Sequence, residues 1–189
     1  MNFKQTIIFA GIFILLAGYV YFFHINKPEE ELRQPPEVWS VIEEDIEHIK
    51  VRLPRQDKQI SFSLDRKKEK WHIDDKEKTP VFMKRWGGIV LLVSGPQSKK
   101  LLAEKVEDLK QFGLSDPPMV ITLGVRGLKD SLDIIFGERT PQKDQFYVKM
   151  RHSDRVYLIN DTFTEVLMRL ANEPPIPPLI KAKREAQDS

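Results

Sequence analysis

Beyond residue 45 the chain alternates apolar and polar positions in short runs. Ile49, Val51 and Leu53 alternate with Lys50 and Arg52, Ile60, Phe62 and Leu64 with Ser61 and Ser63, and Trp71 and Ile73 bracket His72. A period of two buries one face of an extended segment and leaves the other polar, so this pattern predicts three antiparallel strands. A second set follows, in Met119, Ile121 and Leu123, then Leu132, Ile134 and Phe136, then Phe146, Val148 and Met150, then Val156 and Leu158. Between the sets the period lengthens. Thr79 followed by Pro80 reads as a cap and first helical residue, and Phe82, Trp86, Ile89, Val90 and Val93 then fall at helical spacing. Gly87 and Gly88 interrupt that helix at about 1 kcal/mol each relative to alanine. After the second set, Thr162 and Glu165 have the spacing of a capping box ahead of Phe163, Val166, Leu167 and Leu170.

The stretch "EKVEDLKQFGLSDPP", residues 104–118, separates the two strand sets. Glu107 and Asp108 suit the start of a short helix, Gly113 suits a left-handed residue just past its end, and Leu114 can fold back on the last turn in a Schellman stop. Asp116, Pro117 and Pro118 then turn the chain into "MVITLGV". The role expected for this segment is architectural. Ile49 to Val93 and Met119 to Leu170 both read as strands followed by a helix, offset by roughly 70 residues, either an internal duplication or a coincidence of α+β syntax.

Ahead of the strands the pattern is of another kind. From Thr6 to Phe23 the chain carries no charge and ends in Tyr19, Tyr21, Phe22 and Phe23. As a helix this stretch would span roughly 27 Å, close to the hydrocarbon thickness of a bilayer. An uncleaved anchor is preferred to a cleaved signal, because Ala17 and Gly18 run straight into bulky residues instead of a cleavage site. Lys4 on one side and Lys27 and Arg33 on the other give little orienting bias. The acidic residues that follow, Glu29, Glu30, Glu31, Glu37, Glu43, Glu44, Asp45 and Glu47, suit the outer side of a cytoplasmic membrane better than anionic lipid. Ala10, Gly11, Ala17 and Gly18 recur after seven positions, on one helix face that could pack on another membrane helix.

The expected organisation is a short tail over residues 1–5, a single transmembrane helix over 6–24, an acidic, proline-containing spacer over 25–44, an α+β domain over 45–172 and a proline-rich basic tail over 173–189. The fold class expected is therefore α+β, an N-terminal single transmembrane helix followed by antiparallel strands and packed helices, with the two strand-then-helix halves as a candidate pseudo-repeat. The prolines of "EPPIPPLIKAKREAQDS" favour polyproline II and then a solvated tail.

Charge and chemistry change this picture little. Thirty basic and 28 acidic residues give a formal net charge of +2, too balanced for a global field that would gather nucleic acid. With no cysteine, disulfides and thiolate chemistry are excluded. "SGPQSKK" lacks the second glycine and the hydroxyl of a phosphate-binding loop, and no "GxSxG" elbow occurs. His24, His48, His72 and His152 are scattered, so no metal site and no cofactor is expected. Asp74-Asp75 and Glu107-Asp108 are read as a turn and a helix start, and "DRKKEK" at 65–70 as a solvated hairpin without aromatic interleaving. No catalytic residue is assigned.

"DIEHIKVRL", "ISFSLDRKKEKWHI", "DLKQFGLSDPPMVITL", "LDIIFGER", "FYVKM" and "RVYLIN" in this order resemble the domain of unknown function catalogued as number 4340, over roughly residues 45 to 172. Trp71, the Asp108-Leu109 and Phe112-Gly113-Leu114 pair of motifs, Pro118 and Gly137 carry the resemblance, while the Gly87-Gly88 pair departs from it. It implies a membrane-anchored bacterial envelope protein, often encoded near auxiliary subunits of ABC transporters of the gliding-motility type. No catalytic residues come with it. The expected function is a non-catalytic accessory or scaffold subunit at the inner membrane. Its lipid contact would run through residues 6–23, its partners would be membrane-complex subunits, and its domain would lie on the periplasmic side. The alternatives are an envelope hydrolase whose carboxylates are brought together by folding, and a regulator facing the cytoplasm.

Overall fold

The computed structural model describes residues 38–96 and 100–186, together with Phe13, Leu16, Gly18 and Tyr19. By compactness the chain divides into two units, Met1–Gln34 and Pro35–Ser189. In the first, the four described residues are helical. The rest of the segment expected to cross the membrane lies outside the described residues, and among those described no helix is long and apolar enough to cross a membrane.

The second unit is built on one eight-stranded sheet. Its strands are β1 (Ile46–Leu53), β2 (Lys58–Asp65), β3 (Lys70–Ile73), β4 (Lys100–Ala103), β5 (Met119–Val125), β6 (Leu132–Arg139), β7 (Gln145–Met150) and β8 (Val156–Asn160). In space they run β3-β2-β1-β5-β6-β7-β8-β4, every neighbouring pair antiparallel. This corrects the expected fold class. The domain is a mostly antiparallel sheet with few and short helices, and the two strand sets are not separate strand-then-helix halves. β1 and β5 pair along Ile49 opposite Leu123 and Val51 opposite Ile121, which joins the sets into a single surface.

The helices are short for identifiable reasons. The one expected from Thr79 is two, α1 (Met83–Trp86) and α2 (Ile89–Ser94), because Gly88 takes φ +80° and ends the first ladder. Pro80 does not open it. Thr79 and Val81 extend the pairing of β3, with Ile73 N–H donating to Thr79 O at 2.7 Å and Val81 N–H to Trp71 O at 3.2 Å. The longest helix of the second unit, α3 (Asp161–Asn172), is capped by Asn160, whose side chain accepts from Thr162 N–H. Thr162 and Glu165 do not form the expected capping box, since Glu165 pairs with Arg139. The proline-rich tail is not polyproline II throughout. Pro178–Glu185 forms α4, Ile176 packs on the core, and Pro175 O accepts from Phe82 N–H at 2.7 Å.

The alternating residues meet on one face of the sheet. Ile49, Val51, Phe62, Ile121, Leu123, Ile134, Phe136 and Val148 are fully buried there beneath Trp86, Ile89 and Val93 of the first helices and Leu167 and Leu170 of α3. At about 25 cal/mol per Å² of apolar surface, each such side chain adds roughly 1.5 to 3 kcal/mol. The end of the expected spacer belongs to this core as well. Val38 and Trp39 are buried, and Trp39 Nε1–H donates to Val93 O at 2.7 Å.

Candidate functional site

The opposite face of the sheet divides into a covered part and an open part. Segment 104–118 covers β6 and β7. It has no α-helix, only one 3-10 turn at Lys110–Phe112. Its stop is nevertheless a Schellman motif: Gly113 takes φ +66°, Gly113 N–H donates to Lys110 O and Leu114 N–H to Leu109 O, both at 3.0 Å. The turn rests on β6 with almost no clearance. A Cβ on Gly137 would lie 2.1 Å from Phe112 O, and one on Gly113 would lie 2.9 Å from Glu138 N. Leu114 is buried beside Gly137, and the Phe112 and Tyr147 rings meet edge to face at 4.8 Å. Arg55 ties the outside of this lock, donating to Asp116 O and pairing with Asp116 and Glu138.

The structure thus brings together Phe112, Gly113, Leu114 and Gly137, while Pro118 leads directly into β5. Trp71 is elsewhere, on β3, with its ring 5.3 Å from Trp86, itself 4.6 Å from Phe62. Of the proposed membrane-packing residues, Ala10, Gly11 and Ala17 lie outside the described residues. No described atom stands within 4 Å of a Cβ placed on Gly18.

The open part lies over β1, β2 and β3. His48 stands opposite Ser63, and Ser63 opposite His72, so the three form a row across the strands. Ser63 Oγ donates to Asp74 Oδ1 at 2.6 Å and has lone pairs left for His48 Nδ1 at 2.8 Å, while His72 Nε2 is 3.6 Å from the same carboxylate. The residue types are those of a hydrolytic triad, but the proton order is not. A carboxylate only accepts, so the serine proton points at Asp74 and the imidazole becomes a donor to Ser63 instead of its base. The sequence reading missed this row because its members are joined by strand register and not by spacing.

At the β2–β3 hairpin a groove of about 680 Å³ opens. Arg66, Lys67, Lys68, Lys70 and Lys78 line it with Asp65, His72 and Pro80, while Trp71 turns its ring to Trp86 on the packed face of the sheet. Arg66 pairs with Glu47 and Lys68 with Asp65. The only signal in the sequence was "DRKKEKW", where the aromatic follows the basic run without interleaving with it.

Carboxylates elsewhere are held by arginines, in Asp45–Arg126, Asp133–Arg151 and Glu165–Arg139. Burial pushes the Asp133 carboxyl up, but hydrogen bonds from Thr122 and Arg151, with Arg151 and Arg52 as nearby charges, hold it below the usual carboxylate range. Partial desolvation likewise pushes Asp65 up, and hydrogen bonds from Lys68 and Lys67 N–H outweigh it and lower it. A general acid at neutral pH needs the opposite displacement. Among the described residues no group of three or more His, Asp or Glu side chains is placed to hold a metal ion.

Residues 71–173, from Trp71 on β3 to the end of α3, match the family described as Domain of unknown function (DUF4340). No curated protein and no solved structure matches the chain. The match takes in the Schellman lock, Gly137 and both tryptophans of the hairpin cluster, and covers more than half of the chain. The chain therefore belongs to the DUF4340 family.

Proposed function

We propose that this chain is a non-catalytic accessory or scaffold subunit of a bacterial envelope complex, transporter-associated and held at the cytoplasmic membrane by the apolar stretch 6–23, with its domain on the outer side. The observation that supports it best is the unequal cover of the sheet. One half of the polar face is sealed by the 104–118 lock, whereas over β1 to β3 His48 is exposed and His72 half-buried, with Ser63 buried between them. A sheet with one face packed on helices and part of the other exposed offers a surface for a partner, and the lowered Asp65 and Asp133 carboxyls do not suit a general acid at neutral pH.

The test is purification of the full chain from native membranes in mild detergent, with and without His48→Glu and Gln59→Arg, both exposed on this face. Stoichiometric membrane partners that the double variant loses, while it stays folded, would support the reading. A chain that runs alone in every condition would refute it. Alkaline washing of membranes checks the tether separately, and release of the chain would refute that part.

A further inference from the structure

The cover over the sealed half of the polar face is fastened by side chains alone. Among the described residues no backbone hydrogen bond joins 104–117 to a strand: Phe112, Gly113 and Leu114 N–H all donate within the turn, to Leu109 and Lys110. What holds the segment down is the burial of Leu114, the Phe112–Tyr147 edge contact and the Arg55 pairs with Asp116 and Glu138. Those pairs are exposed, and exposed ion pairs add little.

The layer on this face of the sheet is apolar but for one charge. Val120, Val156 and Leu158 are buried with Leu114 outside the main core, and strand register sets Leu158 opposite Tyr147 and Val120 opposite Ile135. Lys149 stands opposite Ile135 and two residues along β7 from Tyr147, so it shares this face. It is only 8% exposed, and among the described residues it makes no ion pair and no side-chain hydrogen bond. A lysine is rarely buried so far without a partner, because the ammonium gives up water and gains nothing in return. Lifting the cover rehydrates Lys149 but exposes the apolar residues around it. The charge therefore works against closure, and the apolar layer works for it.

We infer that residues 104–118 form a strap that opens from the sheet as a unit, without global unfolding, and that Lys149 sets how often it does so. Segments that open in this way are those joined to the rest of a domain by few backbone bonds. β4 ends at Ala103 in its pairing with β8, and β5 begins at Met119 opposite Phe136, so both ends of the strap stay anchored while its middle lifts. The sealed half of the polar face is thereby a surface that is exposed only part of the time. This motion needs neither the tether nor a partner.

The test is amide hydrogen exchange of the full chain in neutral maltoside micelles, read by NMR over a range of low urea concentrations. In the wild type the Phe112, Gly113 and Leu114 amides should share one opening constant, at least about 100-fold larger than that of the β5–β6 ladder amides. Their exchange should depend little on urea, because a small opening exposes little surface. Lys149→Met keeps the stem and removes the charge, and should slow the three turn amides about five-fold. Leu114→Ala should speed them about 30-fold or more. Turn amides with the rate and urea slope of the β5–β6 ladder would overturn the strap, since they would then open only with the whole domain, and this comparison requires no variant. A Lys149→Met chain that fails to fold, or whose turn amides exchange as fast as in the wild type, would overturn the part given to the lysine.

Discussion

Replacing Gly137 by alanine places a methyl group where Phe112 O now sits, 2.1 Å from the new Cβ, and neither partner is the end of a flexible side chain. The 104–118 lock must therefore lift. Lifting it exposes Leu114, worth roughly 1.5 to 3 kcal/mol of burial, and separates the Phe112–Tyr147 pair, worth about 0.5 to 1.5 kcal/mol. The expected loss is on the order of 2 to 4 kcal/mol, a large part of the stability of a domain this size. Urea unfolding of the full chain in neutral micelles, followed by near-ultraviolet circular dichroism, measures it. Leu114→Ala should cost about 2 to 5 kcal/mol in the wild type but much less in the Gly137→Ala chain, since the leucine is already displaced there. If Gly137→Ala stays within about 0.5 kcal/mol of the wild type, or if the two losses simply add, the turn and strand are not locked together and the reasoning is wrong.

Trp39→Phe should cost about 1 to 3 kcal/mol by leaving Val93 O without its donor, whereas Trp86→Phe, which removes a buried indole N–H that has no partner among the described residues, should cost less; thermal melts of the two variants decide the order. Asp133 has a folded-state pKa below its unfolded value, so its contribution is present above about pH 4 and is lost as pH falls through the folded pKa. Asp133→Asn should flatten the acid arm of a stability-against-pH curve below pH 4, and an unchanged arm would show that the Thr122 and Arg151 bonds do not set it. Asn160→Ala should cost about 1 kcal/mol through loss of the bond to Thr162 N–H, measured by urea unfolding.

The amino-acid order alone determined the features that depend on neighbours a few residues apart. Alternation at 49–53, 60–64, 119–123 and 132–136 reports that one face of each segment is buried, and each is a strand. Gly113 and Leu114 identify the stop because the sign of φ and the fold-back contact are local, although the expected helix shrank to one 3-10 turn. The same motifs were enough for the family. Tertiary structure decided whatever depends on which strand lies beside which. β4 had no usable alternation and is a strand because β8 offers an edge. Pairing between β1 and β5, more than 60 residues apart, turned two apparent halves into one sheet. Trp39 joined the core, the row His48–Ser63–His72 formed, and Lys78 joined the lining of the hairpin groove only once strand order and register were set. Periodicity records that a face is hidden, but not by what, because the covering contacts come from residues distant in the chain.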